Sequence, residues 1–186
     1  TIGTAKGGDG TADDGTGGTG IYSAGRLFIS GGEIQNATGG NGGSGGSGGS
    51  GIYSYGDLTI SGGKIQKATG GASTDGNGGS GIFSGSNLTI SSGTIETAQG
   101  GDGNASGGMG IRSGGMLPIS DNATITNATG GASTDGYAGD GIHSDGKLTI
   151  SGGTIGTAQG GNGTISGGSG ILGNTMEILA GTIQKA

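Results

Sequence analysis

The sequence predicts an all-β fold, a single-stranded right-handed parallel β-helix with six coils of about 30 residues each. Three observations predict it. A Gly-Ile step recurs six times, at intervals of 29 to 31 residues. Each interval contains three short apolar segments separated by turn residues. Gly supplies 56 of the 186 residues and hydrophobic residues only 27%, which is too little apolar volume to fill the broad core of a compact globule.

The repeat defines the boundaries of the coils. They begin near Ile21, Ile52, Ile82, Ile111, Ile142 and Ile171. Residues 1–20 have the phase of the second half of a preceding coil, so we expect 1–186 to form one solenoid domain. Gly has no strict three-residue period, which excludes collagen. Composition alone would favour disorder, but the regular placement of the large aliphatic residues favours a folded chain.

The three apolar segments of each coil, Ile-x-Ser, Leu-x-Ile-Ser and Ile-x-x-Ala, are predicted to be short strands. Leu58-Thr59-Ile60 alternates with a period of two, which is typical of a strand with one buried face. The pair Gly62-Gly63 that follows would break a helix and suits a turn. One coil cannot bury its own apolar face. Coils stacked about 4.8 Å apart pair each strand in parallel with its equivalents above and below.

Stacking places equivalent residues in columns that point into the core. Besides the six Ile residues that open the coils, the predicted columns are Leu27, Leu58, Leu88, Leu117, Leu148 and Met176; Ile29, Ile60, Ile90, Ile119, Ile150 and Ile178; and Ile2, Ile34, Ile65, Ile95, Ile125, Ile155 and Ile183. Parallel crossovers are nearly always right-handed, and the hexapeptide repeat associated with left-handed β-helices is missing. We therefore predict a right-handed coil.

A Gly-rich segment of 12 to 15 residues closes each coil. Taken alone, a stretch such as GGSGGSGGSG would be interpreted as a flexible linker. Its equivalents in the other coils have nearly the same length and composition, so we predict a stacked loop face. The two ends of the chain match in phase and have no distinct polar cap. This favours either continuation in a longer parent chain or head-to-tail association of copies, which would give a filament.

Charge and composition exclude several classes of partner. The net charge is −6 and the pI is about 4.4, which argues against nucleic acid, because Lys and Arg supply most of the affinity for phosphates. No apolar run is long enough for a transmembrane helix, so no membrane insertion is expected. The chain has no Cys, which removes disulfides and thiolate metal sites.

The first candidate site is an outward column beside the Ile residues that open the coils. Tyr22, Tyr53 and Phe83 occupy equivalent positions in three successive coils, followed by Arg112, His143 and Leu172. Exposed aromatic rings can stack on the faces of sugars. The same residues also stabilise a sheet by laddering between neighbouring strands. The sequence leaves both interpretations open.

The second candidate site is a row of acidic residues in the Gly-rich loops. Aligning the loops on Asp-Gly and Asn-Gly steps places Asp9, Asp75, Asp102 and Asp135 at one position, together with Asn41 and Asn162. Calcium binds six to eight oxygens from carboxylates, carbonyls and amides. The same dipeptides are also common turn formers, so calcium is a candidate ligand beside a purely structural role. No other cofactor is expected.

The sequence does not predict an enzyme. It contains one His, His143, and no Cys. Ser144 and Asp145 follow His143 directly, but adjacent residues of a strand point to opposite faces, so this run does not form a catalytic triad. No coil stands out as an irregular place where two carboxylates would be built into a glycosidase site.

The repeat GI-x-S-x-G-x-LTISGG-x-I resembles Gly-rich surface proteins of gut and soil bacteria, including a family of calcium-dependent, pectin-binding parallel β-helices. The match is best over 51–71, 81–99 and 141–161. The resemblance implies an extracellular or cell-surface location and a structural or adhesive scaffold. The alternative function is a lectin-like module that binds polysaccharide, with calcium and the column of Tyr22, Tyr53 and Phe83.

Overall fold

The computed structural model describes all 186 residues and contains strands without any helix. The twelve strands are β1 (Ile2–Lys6), β2 (Ile21–Ser23), β3 (Leu27–Thr38), β4 (Ile52–Ser54), β5 (Leu58–Thr69), β6 (Ile82–Ser84), β7 (Leu88–Gln99), β8 (Ile111–Ser113), β9 (Leu117–Ile119), β10 (Thr124–Thr129), β11 (Ile142–Gln159) and β12 (Ile171–Lys185).

Every strand pair is parallel and joins equivalent residues of successive coils. We call the stack formed by the Ile-x-Ser strands the first wall. In it Ile21 pairs with Ile52 and Ile52 pairs with Ile82. The wall continues through β8 into the starts of β11 and β12. The second and third segments stack in the same order, from β1 and β3 to β12. This arrangement is a parallel β-solenoid of about six turns, and it confirms the predicted fold class.

The second and third segments of a coil run on as one strand in the structure, where the sequence suggested two strands and a turn. In the second coil β5 spans 12 residues, and its register against β3 shifts near the Ser-Gly-Gly step. Gly63 lies there with a φ of 77°, which favours Gly because a side chain would be strained. The step therefore bends the strand as a bulge between two walls and does not end it.

The corner between the second and third segments has a different structure in the fourth coil. Its strand is broken into β9 and β10 by one extra residue in Ser120-Asp121-Asn122-Ala123. Asp121 is the one residue other than Gly with a positive φ, at 50°, a conformation that Asp tolerates better than most residues. The turn brings Ala123 into the core, where it is 1% exposed. A short turn thus replaces the Gly bulge without disturbing the stack.

The predicted columns form the core. It contains 24 buried hydrophobic residues, and the Ile and Leu residues of the inner coils are almost completely buried. The end coils differ: Ile2, Met176 and Ile178 keep their places in the columns, yet each is more than 40% exposed. They are exposed because no coil of the described chain covers them.

The Gly-rich segments form the predicted stacked loop face. The two arms of each loop are hydrogen-bonded to each other and to the next loop: Gly49 N donates to Gly40 O, and Gly71 N donates to Gly49 O, both at 2.8 Å. The backbones lie so close that a Cβ on Gly71 would overlap the carbonyl oxygen of Gly40. Gly is required here for close approach of two backbones, and the loop is ordered by main-chain bonds.

Candidate functional site

The most varied side chains of the repeat lie together on the outer face of the first wall. The parallel register sets Tyr22 beside Tyr53, Tyr53 beside Phe83, Phe83 beside Arg112 and Arg112 beside His143. The residues alternate with the buried Ile and Ser of the same three-residue strands, so they point outward. The predicted aromatic column is therefore present, and it continues into two basic side chains.

The aromatic rings of this column stack on one another. The ring centroids of Tyr53 and Phe83 are 4.9 Å apart and the planes are nearly parallel, at 6°. Tyr22 and Tyr53 are 5.5 Å apart with a tilt of 45°. The Arg112 guanidinium carbon lies 5.0 Å from the centroid of the Phe83 ring, which is a cation–π contact. The faces of Tyr53 and Phe83 are thus occupied by neighbours, and their edges face the solvent.

This packing bears on both interpretations of the column. A sugar stacks on the face of an aromatic ring, and Tyr22, 58% exposed, is the ring of the stack with one face that no ladder neighbour shares. Partial burial and the neighbouring phenols of Tyr22 and Tyr55 raise the pKa of the Tyr53 hydroxyl. That hydroxyl therefore stays protonated and can donate a hydrogen bond. The geometry is that of a stabilising ladder with polar edges.

The charged end of the column is a cluster that the sequence reasoning did not anticipate. His143 lies between two carboxylates, with Nδ1 2.7 Å from Asp140 Oδ2 and Nε2 2.8 Å from Asp145 Oδ1. We call Asp140, His143 and Asp145 the imidazole clamp. Asp145 Oδ2 also accepts a hydrogen bond from Arg112 of the preceding coil, at 3.1 Å. Asp145 is two residues beyond His143, and side chains at that spacing share a face; this signal was available in the sequence.

Contacts within the clamp shift the pKa values of His143 and Asp145. The hydrogen bond to Asp140 raises the pKa of His143 above its ordinary 6.5, against the opposing effect of burial and with further help from Asp145. Burial works to raise the pKa of Asp145, but His143 and Arg112 outweigh it and hold that pKa below 3.8. Both shifts favour the state in which the imidazole and the Asp145 carboxylate are charged.

The acidic row in the loops differs from the predicted one. Asp9 Oδ1 accepts a hydrogen bond from Asn41 N at 2.8 Å, and Asn41 Oδ1 accepts one from Ala72 N at 2.9 Å. Further along, Asp102 Oδ1 accepts one from Ala132 N at 2.7 Å. The side-chain oxygens thus bind the backbone of the next coil, a role that Asp and Asn share in turns.

Asp75 and Asp135 do not belong to that row, and the alignment that placed them there is wrong. Ala72 and Ala132 occupy the equivalent positions, and the two Asp residues lie three positions further along their loops. Register is fixed by distance from the end of the preceding strand, because the loop arms continue its hydrogen-bonding pattern. The Asp-Gly step marked a turn in each loop, but at different positions.

No group of three or more His, Asp or Glu side chains is arranged to hold a metal ion. Asp9 and Asp102 are three coils apart in the row, and the carboxylates of the clamp lie on opposite sides of one ring. The candidate calcium ligands are therefore dispersed over the loop face.

A similar use of Asp and Asn occurs at the turn after the first wall. Asp57 Oδ1 accepts from Asn87 N at 3.2 Å, and Asn87 Oδ1 accepts from Met116 N at 2.9 Å. Hydrogen bonds from Ser86 and from the Asn87 backbone, with Arg26 nearby, lower the pKa of the Asp57 carboxyl. These side chains connect coils two, three and four along the corner of the solenoid.

Comparisons of the chain with models of protein families, with curated proteins and with solved structures give no match. No helix capable of crossing a membrane is present. Of what the family resemblance implied, the structure supports the parallel β-solenoid architecture.

Proposed function

We propose that this chain is a rigid structural and adhesive scaffold of a secreted or cell-surface protein, in keeping with the Gly-rich bacterial surface proteins that its repeat resembles. The observation that carries the proposal is the pairing of equivalent residues of successive coils along each wall. Ile52 pairs with Ile82, and Ile82 with Ile111, while the loop arms repeat the same bonds between coils. A stack with identical junctions is stiff along its axis and holds its outward side chains at fixed spacing.

The loop face strengthens the proposal. A Gly-rich chain without main-chain bonds between neighbours behaves as a flexible coil. Here Gly40, Gly49, Gly71 and Gly79 are linked in one continuous series of backbone hydrogen bonds of 2.8 Å. The longest irregular segments of the chain therefore add to the rigidity of the rod.

Distances between spin labels test the rigidity. Ser30 and Ser151 are exposed corner residues four coils apart, and the chain has no native Cys, so Ser30→Cys and Ser151→Cys give one defined label pair. A rigid stack predicts a narrow distance distribution centred near four coil spacings, about 19 Å between the backbones. A broad distribution in buffer, like the one expected in denaturant, would contradict the scaffold.

Polysaccharide binding is the competing proposal, and it makes a separate prediction. Stacking on Tyr53 or Phe83 would require a sugar to reach ring faces that the ladder occupies, which leaves the outer face of Tyr22 as the accessible ring face. We expect no chelator-sensitive signal on a glycan array. A signal that is lost in Tyr53→Ala but kept in Tyr137→Ala, an exposed Tyr on the loop face, would establish the lectin function in place of a purely structural one.

The end coils bear on the partners of the scaffold. Ile2 and Phe28 at one end, and Ile178 and Leu179 at the other, are between 45% and 67% exposed. A further coil laid on either end, from the same polypeptide or from a second copy, would bury these side chains and pair the free strand edges. We include such end-to-end stacking in the proposal, and antibody labelling of intact source cells tests the surface location.

A further inference from the structure

The imidazole clamp holds the one His of the chain, and it is a built site inside an otherwise repetitive wall. The side chains of Asp140 and His143 are 10% and 16% exposed, whereas that of Asp145 is 39% exposed. The equivalent positions in the coils before it carry Arg112 and Phe83 in place of His143. The clamp is therefore a local departure from the repeat with its own chemistry.

The number of N–H donors on the His143 ring determines which protonation state fits this geometry. Each ring nitrogen of His143 lies within 2.8 Å of a carboxylate oxygen. An ionised carboxylate only accepts hydrogen bonds, and a neutral imidazole has one N–H donor, so only the imidazolium can serve both partners. A neutral ring would direct a lone pair at one of the two carboxylates.

The clamp joins three coils. Asp145 accepts a hydrogen bond from Arg112 in coil four, and Arg112 in turn covers the ring of Phe83 in coil three. On the other side, Asp140 Oδ1 accepts a hydrogen bond from Ser169 N, in the loop that leads into coil six, at 2.6 Å. The charged groups that face His143 are Asp140, Asp145 and Arg112, while the following coil presents the uncharged Leu172.

We propose that the imidazole clamp is a pH-sensitive lock, which ties coils four to six together when His143 is protonated and releases its Asp145 arm when the ring is neutral. Asp145 is the arm that leaves, because it is the more exposed carboxylate and keeps Arg112 as a partner. Asp140 stays, since it is enclosed and is held by Ser169 N. The lock goes beyond the scaffold function and does not depend on it.

The pKa shifts of His143 and Asp145 determine how the stability of the lock depends on pH. The pKa of His143 is raised on folding, so its contribution to stability is complete below the unfolded value of 6.5 and is lost as the pH rises through the folded pKa. The pKa of Asp145 is lowered on folding, so its contribution is present above the unfolded value of 3.8 and is lost as the pH falls through its folded pKa. The lock is therefore fully closed between about pH 4 and about pH 6.5.

Titration of the His side chain by NMR tests the lock directly, because any imidazole signal of the chain belongs to His143. We expect a titration midpoint above 6.5, with protons on both ring nitrogens below it. Hydrogen-exchange protection of the Ser169 amide, corrected for the intrinsic rate, should change little as the pH passes the midpoint, because Asp140 remains its acceptor. In Asp145→Asn the midpoint should move down towards 6.5.

Melting temperatures supply the matched control. The wild-type melting temperature should fall as the pH rises through the midpoint, and His143→Gln should lose this slope. Asp13→Asn, which removes one exposed charge in the N-terminal loop, should keep the wild-type slope. A wild-type midpoint at or below 6.5, or an unchanged slope in His143→Gln, would overturn the proposal.

Discussion

At the scale of single residues, glycine has two different roles in this chain. Gly63 occupies a corner with a positive φ, where the absence of a Cβ permits the conformation. Gly71 has no such φ, but its Cα faces the carbonyl oxygen of Gly40 in the preceding loop. The loop face therefore depends on small size, in the way that tightly packed cores depend on shape.

Replacing Gly71 by Ala should destabilise the fold by about 3 kcal/mol or more, because the new Cβ meets backbone atoms that cannot move aside. Gly31→Ala is the matched control, since a Cβ there meets nothing within 4 Å, and its effect should stay within about 1 kcal/mol. Chemical denaturation of the two variants measures the difference. Equal losses of stability would show that the loop backbones are not in close contact.

Residue identity alone was a poor guide to position within the loops. Asp75 and Asp135 were aligned with Asp9 and Asp102 because all four precede Gly. The structure fixes loop register by main-chain bonds counted from the strand end. The Ala-x-Gly-Gly step that opens each loop marks the start of that count, and the Asp-Gly step does not. The contact of His143 with Asp145 follows from a spacing of two residues within β11, whereas the contact with Asp140 joins a strand residue to the preceding loop, and a single-strand pattern does not show that second proximity.

At the scale of the element, the sequence predicted the walls well, because each wall contains columns of large aliphatic residues that recur once in every coil. The columns that contain Leu58, Ile60 and Ile65 were all identified from spacing, and all are confirmed by pairing and burial. Spacing did not show that the second and third segments would join into one 12-residue strand. A Gly-Gly step can end a strand or bend it, and the choice depends on the neighbouring coils that the bend must follow.

Ile90 tests the core columns at this scale. It is 1% exposed and pairs with Ile60 and Ile119, so Ile90→Asp places a carboxylate where no partner exists. We expect a loss of about 4 kcal/mol or more, with unfolding of the central coils. Thr89→Asp, on the outer face of the same strand, should cost far less.

Limited proteolysis with mass mapping distinguishes local from global unfolding in the Ile90→Asp variant. Cleavage should begin in the loops beside coil three, because each coil of a solenoid depends on its immediate neighbours. Lowering the pH should restore part of the stability as the buried carboxyl becomes neutral. A variant as stable and as resistant as Thr89→Asp would show that Ile90 is not in a continuous core.

At the scale of the whole molecule, the solenoid is stabilised coil by coil and its ends differ from its middle. Inner coils bury their Ile and Leu residues from both sides, whereas Met176 and Ile178 in the last coil are covered from one side. The charge of Glu177 does little to protect this end from association, because its carboxylate forms a salt bridge of 2.5 Å with Lys147 of the preceding coil. The end face thus combines exposed apolar side chains with a strand edge that is free to pair.

We therefore expect the 186-residue polypeptide to associate end to end in solution. Sedimentation velocity over a range of concentrations should show species larger than the monomer, and electron microscopy should show rods of increasing length. Ile178→Lys should weaken this association, because it adds a charge to the apolar end face. Ser61→Lys, on an exposed corner of coil two, adds the same charge away from the ends and should leave association unchanged. A wild-type chain that stays monomeric at all concentrations, or equal behaviour of the two Lys variants, would exclude stacking through this face, because a contact between ends must be sensitive to a charge at the end and insensitive to one on the side.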